Sequence, residues 1–361
     1  AWLRLRRHLR GRRRGPLPIL SIDAEPDAVR LLPGIAMSAY SRRRLHEAEP
    51  AGFAAVRRRE GEIVRRLEAE LTARLLSGAR TDLGRVRENN EDKFEFYIPS
   101  GPAAQGAKGS LVAVADGMGG HAAGQIASEL GLKTLIQRYF ADTHADVPGA
   151  LRMAVREANA VVYDTASIPG RDGMGTTLTA AVVRGPRLYV AQVGDSRLYL
   201  LHGEVLEQVT EDHSWVAEQV RRGLLTEDEA QYSPFRNVIT RSLGNQPEVE
   251  PDIIEREVCV GDVLLLCSDG LSGVVQREEM EEALLSQGPS EACQSLVDLA
   301  LERGGPDNAT VLVARIEEML SVAAGESVTV PPACAAEPAQ PEQRSTRKEG
   351  KKRRGWFHRH E

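Results

Sequence analysis

The sequence predicts an α+β fold in which antiparallel sheets pack against each other with helices outside them. Three observations lead there. Short apolar and β-branched runs recur through the middle of the 361-residue chain. Several follow one another across turn-length gaps. Helical patterns fall between groups of strands rather than after each strand, as a doubly wound parallel sheet would require.

Taken in chain order, GEIVRRLEAELTARLL (61–76) sets Ile63, Val64, Leu67, Leu71 and Leu75 at helical spacing and predicts an amphipathic helix over 60–77. Strands are expected over LVAVAD (111–116), TLTAAVV (177–183), RLYVAQVGD (187–195), RLYLLHGEVLEQVT (197–210), DVLLLCSD (262–269) and ATVLVARI (309–316). RGP (184–186) and GDS (194–196) read as two hairpin turns. Helices are expected over 122–140, 149–166, 213–222, 277–287 and 290–303.

Charge divides the chain into three parts. Residues 1–80 hold 18 Lys/Arg against 9 Asp/Glu, and residues 340–361 hold 8 against 3, which leaves 20 against 40 for 81–339. An acidic body is the wrong sign for a nucleic-acid partner and the right one for gathering cations. Residues 1–59, with Arg clusters and scattered Pro, and the Ala/Pro/Glu-rich 319–361, with its basic end, read as disordered flanks. Their charge would suit weak contact with an anionic surface. Residues 1–14 are Arg-rich and acid-free, as in a transit segment, but lack the apolar core of a secretory signal. No apolar run reaches the 18 residues or so of a spanning helix, so a membrane-integral protein is not expected; a cytoplasmic location and a monomer are the further expectations. Cys259, Cys267, Cys293 and Cys334 show no C-x-x-C spacing and read as small core thiols.

The chemistry concentrates where apolar runs stop at acids. Asp116 ends LVAVA and opens the glycine-rich DGMGGHAAG. Gly117, Gly119, Gly120 and Gly124 only loosely echo a dinucleotide fingerprint; no second strand ending in an acid follows, and no GKS or GKT marks a P-loop. Asp269 ends DVLLLCS, Asp195 ends RLYVAQVG, Asp307 precedes a strand, and Glu91 and Asp92 adjoin in RENNEDKF. Any one of them alone is an ordinary turn residue. Together at one rim they would repel by several kcal/mol unless cations sat among them, and oxygen-only donors select Mg²⁺ or Mn²⁺ over zinc.

The wording and order of TDLGRVRENNED (81–92), VADGMGGHAAGQIAS (114–128), GMGTTLTAAVV (173–183), VGDSRLYLL (193–201), LLCSDGLSGVV (266–275) and GGPDNATVLVARI (304–316) resemble the metal-dependent protein phosphatases, the type 2C Ser/Thr phosphatases in their bacterial form. The resemblance spans about 78–318 and implies a four-layer α-β-β-α sandwich, two antiparallel sheets face to face with helices on both outer faces. It implies two Mn²⁺ or Mg²⁺ ions: Asp116 bridging them, the Gly117 carbonyl on one, Asp269 and Asp307 holding one, and Glu91 and Asp92 supporting the other mainly through waters. Asp195 would join Asp269 in a weaker third site. Arg87 would hold the substrate phosphate, and Asn308 would steady the site from behind. The implied reaction is hydrolysis of phosphoserine and phosphothreonine in proteins by a metal-bridging hydroxide, opposing Ser/Thr kinases. Where some eukaryotic relatives carry a histidine after Asp-Gly, this chain has Met118, which leaves the general acid open, with His121 a nearby alternative. Residues 211–244 correspond to a flap beside the site. A catalytically silent relative is disfavoured because every implied ligand is present. A phosphatase devoted to one stress-response regulator would be expected to carry a longer sensor segment.

Overall fold

A computed structural model describes residues 71–321 apart from 121, 144, 145 and 172. The expectations for residues 1–70 and 322–361, and the His121 alternative, lie outside the described residues.

Two five-stranded, wholly antiparallel sheets form the centre. The first runs in the order β1 (Leu71–Asp82), β12 (Ala309–Ser321), β11 (Val263–Cys267), β8 (Arg197–His202), β9 (Val205–Gln208). The second runs β10 (Asp252–Glu257), β7 (Arg187–Val193), β6 (Leu178–Arg184), β3 (Ser110–Ala115), β2 (Lys93–Tyr97). A short pair, β4 (Gly117–Met118) with β5 (Gly175–Thr176), stands apart from both. The helices are α1 (Pro102–Lys108), α2 (Ala122–Ala141), α3 (Val147–Ala166), α4 (Trp215–Arg221), α5 (Glu227–Gln231), α6 (Asp269–Ser272), α7 (Arg277–Ser286) and α8 (Pro289–Glu302).

Side-chain alternation explains the layering. On β3, Val112 and Val114 join Leu264, Leu266, Leu312 and Ala314 in a core between the sheets. Leu111, Ala113 and Ala115 face the other way, onto Leu132, Leu135, Leu151 and Val155 of α2 and α3. On β11, Val263, Leu265 and Cys267 meet Leu284, Leu296 and Val297 of α7 and α8. Both faces of each central strand are therefore covered, which is why these strands read as unbroken apolar runs. The four-layer α-β-β-α arrangement expected from the sequence is the one observed.

Four local expectations are corrected. Residues 71–76, assigned to an amphipathic helix, are strand: β1 pairs with β12 from Leu71↔Ser321 to Asp82↔Ala309, with an irregularity at Arg74/Leu75. The leucine spacing there fits either period, and twelve residues of ladder plus burial of Ala73 in the inter-sheet core outweigh helix propensity. The strand pair also carries the body outward to 71 and 321; Met319, placed by the sequence in a disordered tail, is buried. GDS (194–196) is not a hairpin, because β7 and β8 lie in different sheets and the turn crosses between them. The actual hairpin joins β8 to β9 at Gly203, which splits the long 197–210 run in two. Finally, among the described residues Cys267 and Cys293 are buried free thiols, whereas Cys259 is disulfide-bonded; Cys334 lies outside them.

Candidate metal centre

Strand register brings the acids to one rim. In the second sheet Lys93 pairs with Ala115 and Leu178 with Val193, so Asp92, Asp116 and Asp195 all follow at the same end. In the first sheet Asp82 pairs with Ala309, and Cys267 with Val311 and Arg197, which places Asp307 and Asp269 just past the matching rungs. One contact joins the ends of the two sheets and a second ties the β1–β2 loop to the first. Ser268 Oγ donates to Asp92 Oδ2 at 2.7 Å, and Arg87 Nη2 lies 2.6 Å from Asp307 Oδ2.

Asp116 occupies the single residue between β3 and β4, and its backbone is held on both sides. Its N–H donates to Thr177 Oγ1 at 2.9 Å, and its carbonyl accepts from Thr177 N–H and Thr176 Oγ1, each at 2.9 Å. Gly117 must be glycine, since a Cβ there would run into the Gly124 carbonyl. A Cβ on Gly124 would in turn strike Glu91 Oε2, so the Glu91 carboxylate lies directly on the start of α2. Asn308 ties the 83–91 loop down: its Oδ1 accepts from Glu91 N–H at 2.9 Å, and its Nδ2 donates to Leu83 O at 2.9 Å and Asn89 O at 3.0 Å.

The electrostatics are those of a site missing positive charge. Desolvation, then hydrogen bonding from Ser268 in opposition, leaves Asp92 raised to about 7. Desolvation followed by Asp269 raises Asp195 to about 8. Asp116 is pushed well above the carboxylate range by desolvation and by Asp92, Asp269 and Asp195; Asp269 is raised by desolvation and Asp307. Asp116 and Asp269 are each partly accessible at the rim. Asp92 Oδ1, Asp195 Oδ1 and Asp269 Oδ1 are buried without a hydrogen-bond partner. Orphaned oxygens on mutually repelling acids fit hard divalent cations, and the donor set holds no thiol or imidazole. Among the described residues no three acid, His or Cys side chains form a complete cage by themselves.

A family profile described as protein phosphatase 2C matches residues 85–319. The chain belongs to the protein phosphatase 2C family. It is 43% identical over 249 residues to the serine/threonine protein phosphatase PstP of Mycobacterium tuberculosis, and 40% identical over 240 residues to the serine/threonine phosphatase stp of Listeria innocua. Those matches cover 69% and 65% of this chain; they span about half of the mycobacterial relative (46%) but 93% of the listerial one. A crystal structure of the mycobacterial phosphatase superposes with TM-score 0.60, covering 67% of this chain and 99% of that one at 43% identity. The PstP catalytic domain crystallised in complex with two manganese ions superposes with TM-score 0.59 at 41% identity, covering 69% and 100%.

Within this protein phosphatase 2C fold, Glu91, Asp92, Asp116, Gly117, Asp195, Asp269, Asp307 and Asn308 gather at the sandwich rim. Arg87 stands at its edge, paired to Asp307 and more than half exposed. Sequence reasoning missed the hydroxyls that hold the acids. Ser268 bonds Asp92 and accepts from Thr310 N–H at 3.0 Å, while Thr177 Oγ1 and Ser196 Oγ, 2.7 Å apart, link Asp116 to the Asp195 turn. Ser268 beside Asp269 and Ser196 beside Asp195 were the available signal; Thr177, far from Asp116 in the chain, carried none.

Proposed function

We propose that this chain is a metal-dependent protein serine/threonine phosphatase that acts on phosphoserine and phosphothreonine and opposes Ser/Thr kinases. The observation that carries this reading is the set of three buried, partnerless carboxylate oxygens on Asp92, Asp195 and Asp269. Asp116 would serve both ions, the Gly117 carbonyl one of them, and Asp269 and Asp307 would hold one, with Glu91 and Asp92 as outer support of the other and Asp195 with Asp269 as a weaker third position. When bound, the ions supply neutralisation of the phosphate dianion and a water acidified toward neutrality.

The chain's own residues do the rest. The Thr176–Thr177 bonds fix the Asp116 backbone at the strand end from which its carboxylate projects, and Asn308 sets the loop carrying Glu91 and Arg87. Arg87 is the phosphate clamp: its guanidinium is exposed at the rim, offers bidentate geometry and stays cationic beside Asp307. Among the described residues the two free thiols are unsuited to attack, because burial pushes Cys267 and Cys293 each up to about 12.

The test is hydrolysis of a phosphothreonine peptide across a Mn²⁺ titration. Turnover should depend on Mn²⁺ and vanish in excess EDTA; full activity in chelator would overturn the reading. In the same assay Arg87→Ala should raise KM about tenfold with a smaller change in kcat, as expected when a charge-assisted contact to the ground-state phosphate is lost. An unchanged KM would remove Arg87 from the clamp.

A further inference from the structure

His213 is buried at the joint between the 211–244 excursion and the crossover that carries Asp195, and nothing in the proposed reaction uses it. Four bonds meet there. His213 N–H donates to Gly194 O at 2.9 Å, and Gly194 N–H donates to His213 Nδ1 at 3.0 Å. Thr240 N–H donates to the His213 carbonyl at 2.8 Å, while the ring's Nε2 lies 3.0 Å from Asp252 Oδ2. Both ends of the excursion and the first residue of β10 therefore converge on one residue: the His213 backbone bonds Gly194 and Thr240, and its ring bonds Gly194 N–H, immediately before Asp195, and Asp252. The neighbouring Ser214↔Ile239 bridge closes the same neck.

The tautomer follows from the partners. Gly194 N–H can only donate, so Nδ1 must present its lone pair and Nε2 must carry the hydrogen that Asp252 accepts. Arg241 Nη1, 3.1 Å from Nε2, is then a second donor turned on the same carboxylate, which it meets at 2.6 Å through Asp252 Oδ1. The Gly194 turn needs such a clamp. Its φ of 106° is in glycine territory, and Thr177 packs against it so closely that a Cβ would lie 2.6 Å from the threonine Cβ.

We propose that His213 is a positioning residue that holds the Asp195 turn and the neck of the 211–244 flap as one unit, so that the placement of Asp195 depends on the seating of the flap. This rests on the phosphatase reading for its meaning, yet it can be tested without turnover. Two substitutions divide the ring's two bonds. His213→Asn keeps an oxygen near the Nδ1 position to accept from Gly194; His213→Gln reaches toward Asp252 but leaves Gly194 N–H without its acceptor.

On the full chain, with circular dichroism confirming that each variant is folded, Mn²⁺ binding is measured by calorimetry. Tryptic cleavage after Arg221, Arg222 and Arg236 in the flap is timed in parallel. His213→Gln should weaken the weakest Mn²⁺ binding step about tenfold and speed flap cleavage by a similar factor, the worth of one buried hydrogen bond. His213→Asn should stay within about twofold of wild type in both. Equal losses in the two variants, or none in either, would overturn the clamp. If both readouts move as expected while no phosphopeptide is hydrolysed by any form, the clamp stands and the phosphatase reading fails.

Discussion

Asp116→Asn is expected to lower phosphothreonine-peptide turnover about a thousandfold or more, while raising the melting temperature of the metal-free protein at pH 8. The two effects have one origin. Asn keeps the shape of Asp, and the backbone bonds to Thr176 and Thr177 do not involve the side chain, so the local fold survives. What disappears is the carboxylate charge next to Asp92, Asp269 and Asp195, the groups that raise its own pKa. With cations present, that charge holds the ions; without them the group either stays ionised against its neighbours or takes up a proton the unfolded chain has released, and Asn removes both costs. Activity near wild type would refute the bridging role. Lost activity with a lowered melting temperature in chelator would show that Asp116 is structural, because the predicted relief would be missing.

The sequence shows where the acids stop their strands but not how the strands are shuffled between sheets. Asp116, Asp195 and Asp269 each end an apolar run, and a carboxylate at a strand end has a fixed address once the strand is placed. That is why the rim was legible. The N-terminal edge was not: Leu67, Leu71 and Leu75 satisfy a helical period, and only pairing with β12, more than 200 residues away in the chain, makes 71–82 a strand. GDS misled for a related reason. A tight Gly-Asp-Ser turn between two apolar runs is the local mark of a hairpin, and nothing local reveals that β7 and β8 pair with β6 and β11 instead of each other. The hydroxyls of Ser268, Thr177 and Ser196 escaped because a buried Ser or Thr in a strand end is common and acquires its role only from the acid it meets across the sandwich.

Stripped of divalent ions, the protein should lose stability as pH rises from 5 to 8, its melting temperature falling by roughly 10 °C or more, while a Mn²⁺-saturated sample shows no such fall. The sign comes from Asp92, raised to about 7, and Asp195, raised to about 8, against an ordinary value of 3.8. Between the ordinary and the raised values, the folded protein keeps protons that the unfolded chain has released. The stability these groups contribute is thus complete below about 4 and is lost as pH climbs through about 7 and 8, at about 1.4 kcal/mol per group for each unit crossed. His213, lowered by burial, slopes the opposite way but is a single group facing at least two, with Asp116 and Asp269 raised alongside. Bound cations reverse the slope because they bind the carboxylates only in ionised form, so their contribution grows with pH. A chelated protein whose melting temperature stays flat or rises between pH 5 and 8 would mean that these acids are solvated rather than crowded, and the metal centre would lose its physical basis. The same titration on Asp92→Asn should show a shallower fall, since one of the two groups that set the slope can no longer hold or release a proton.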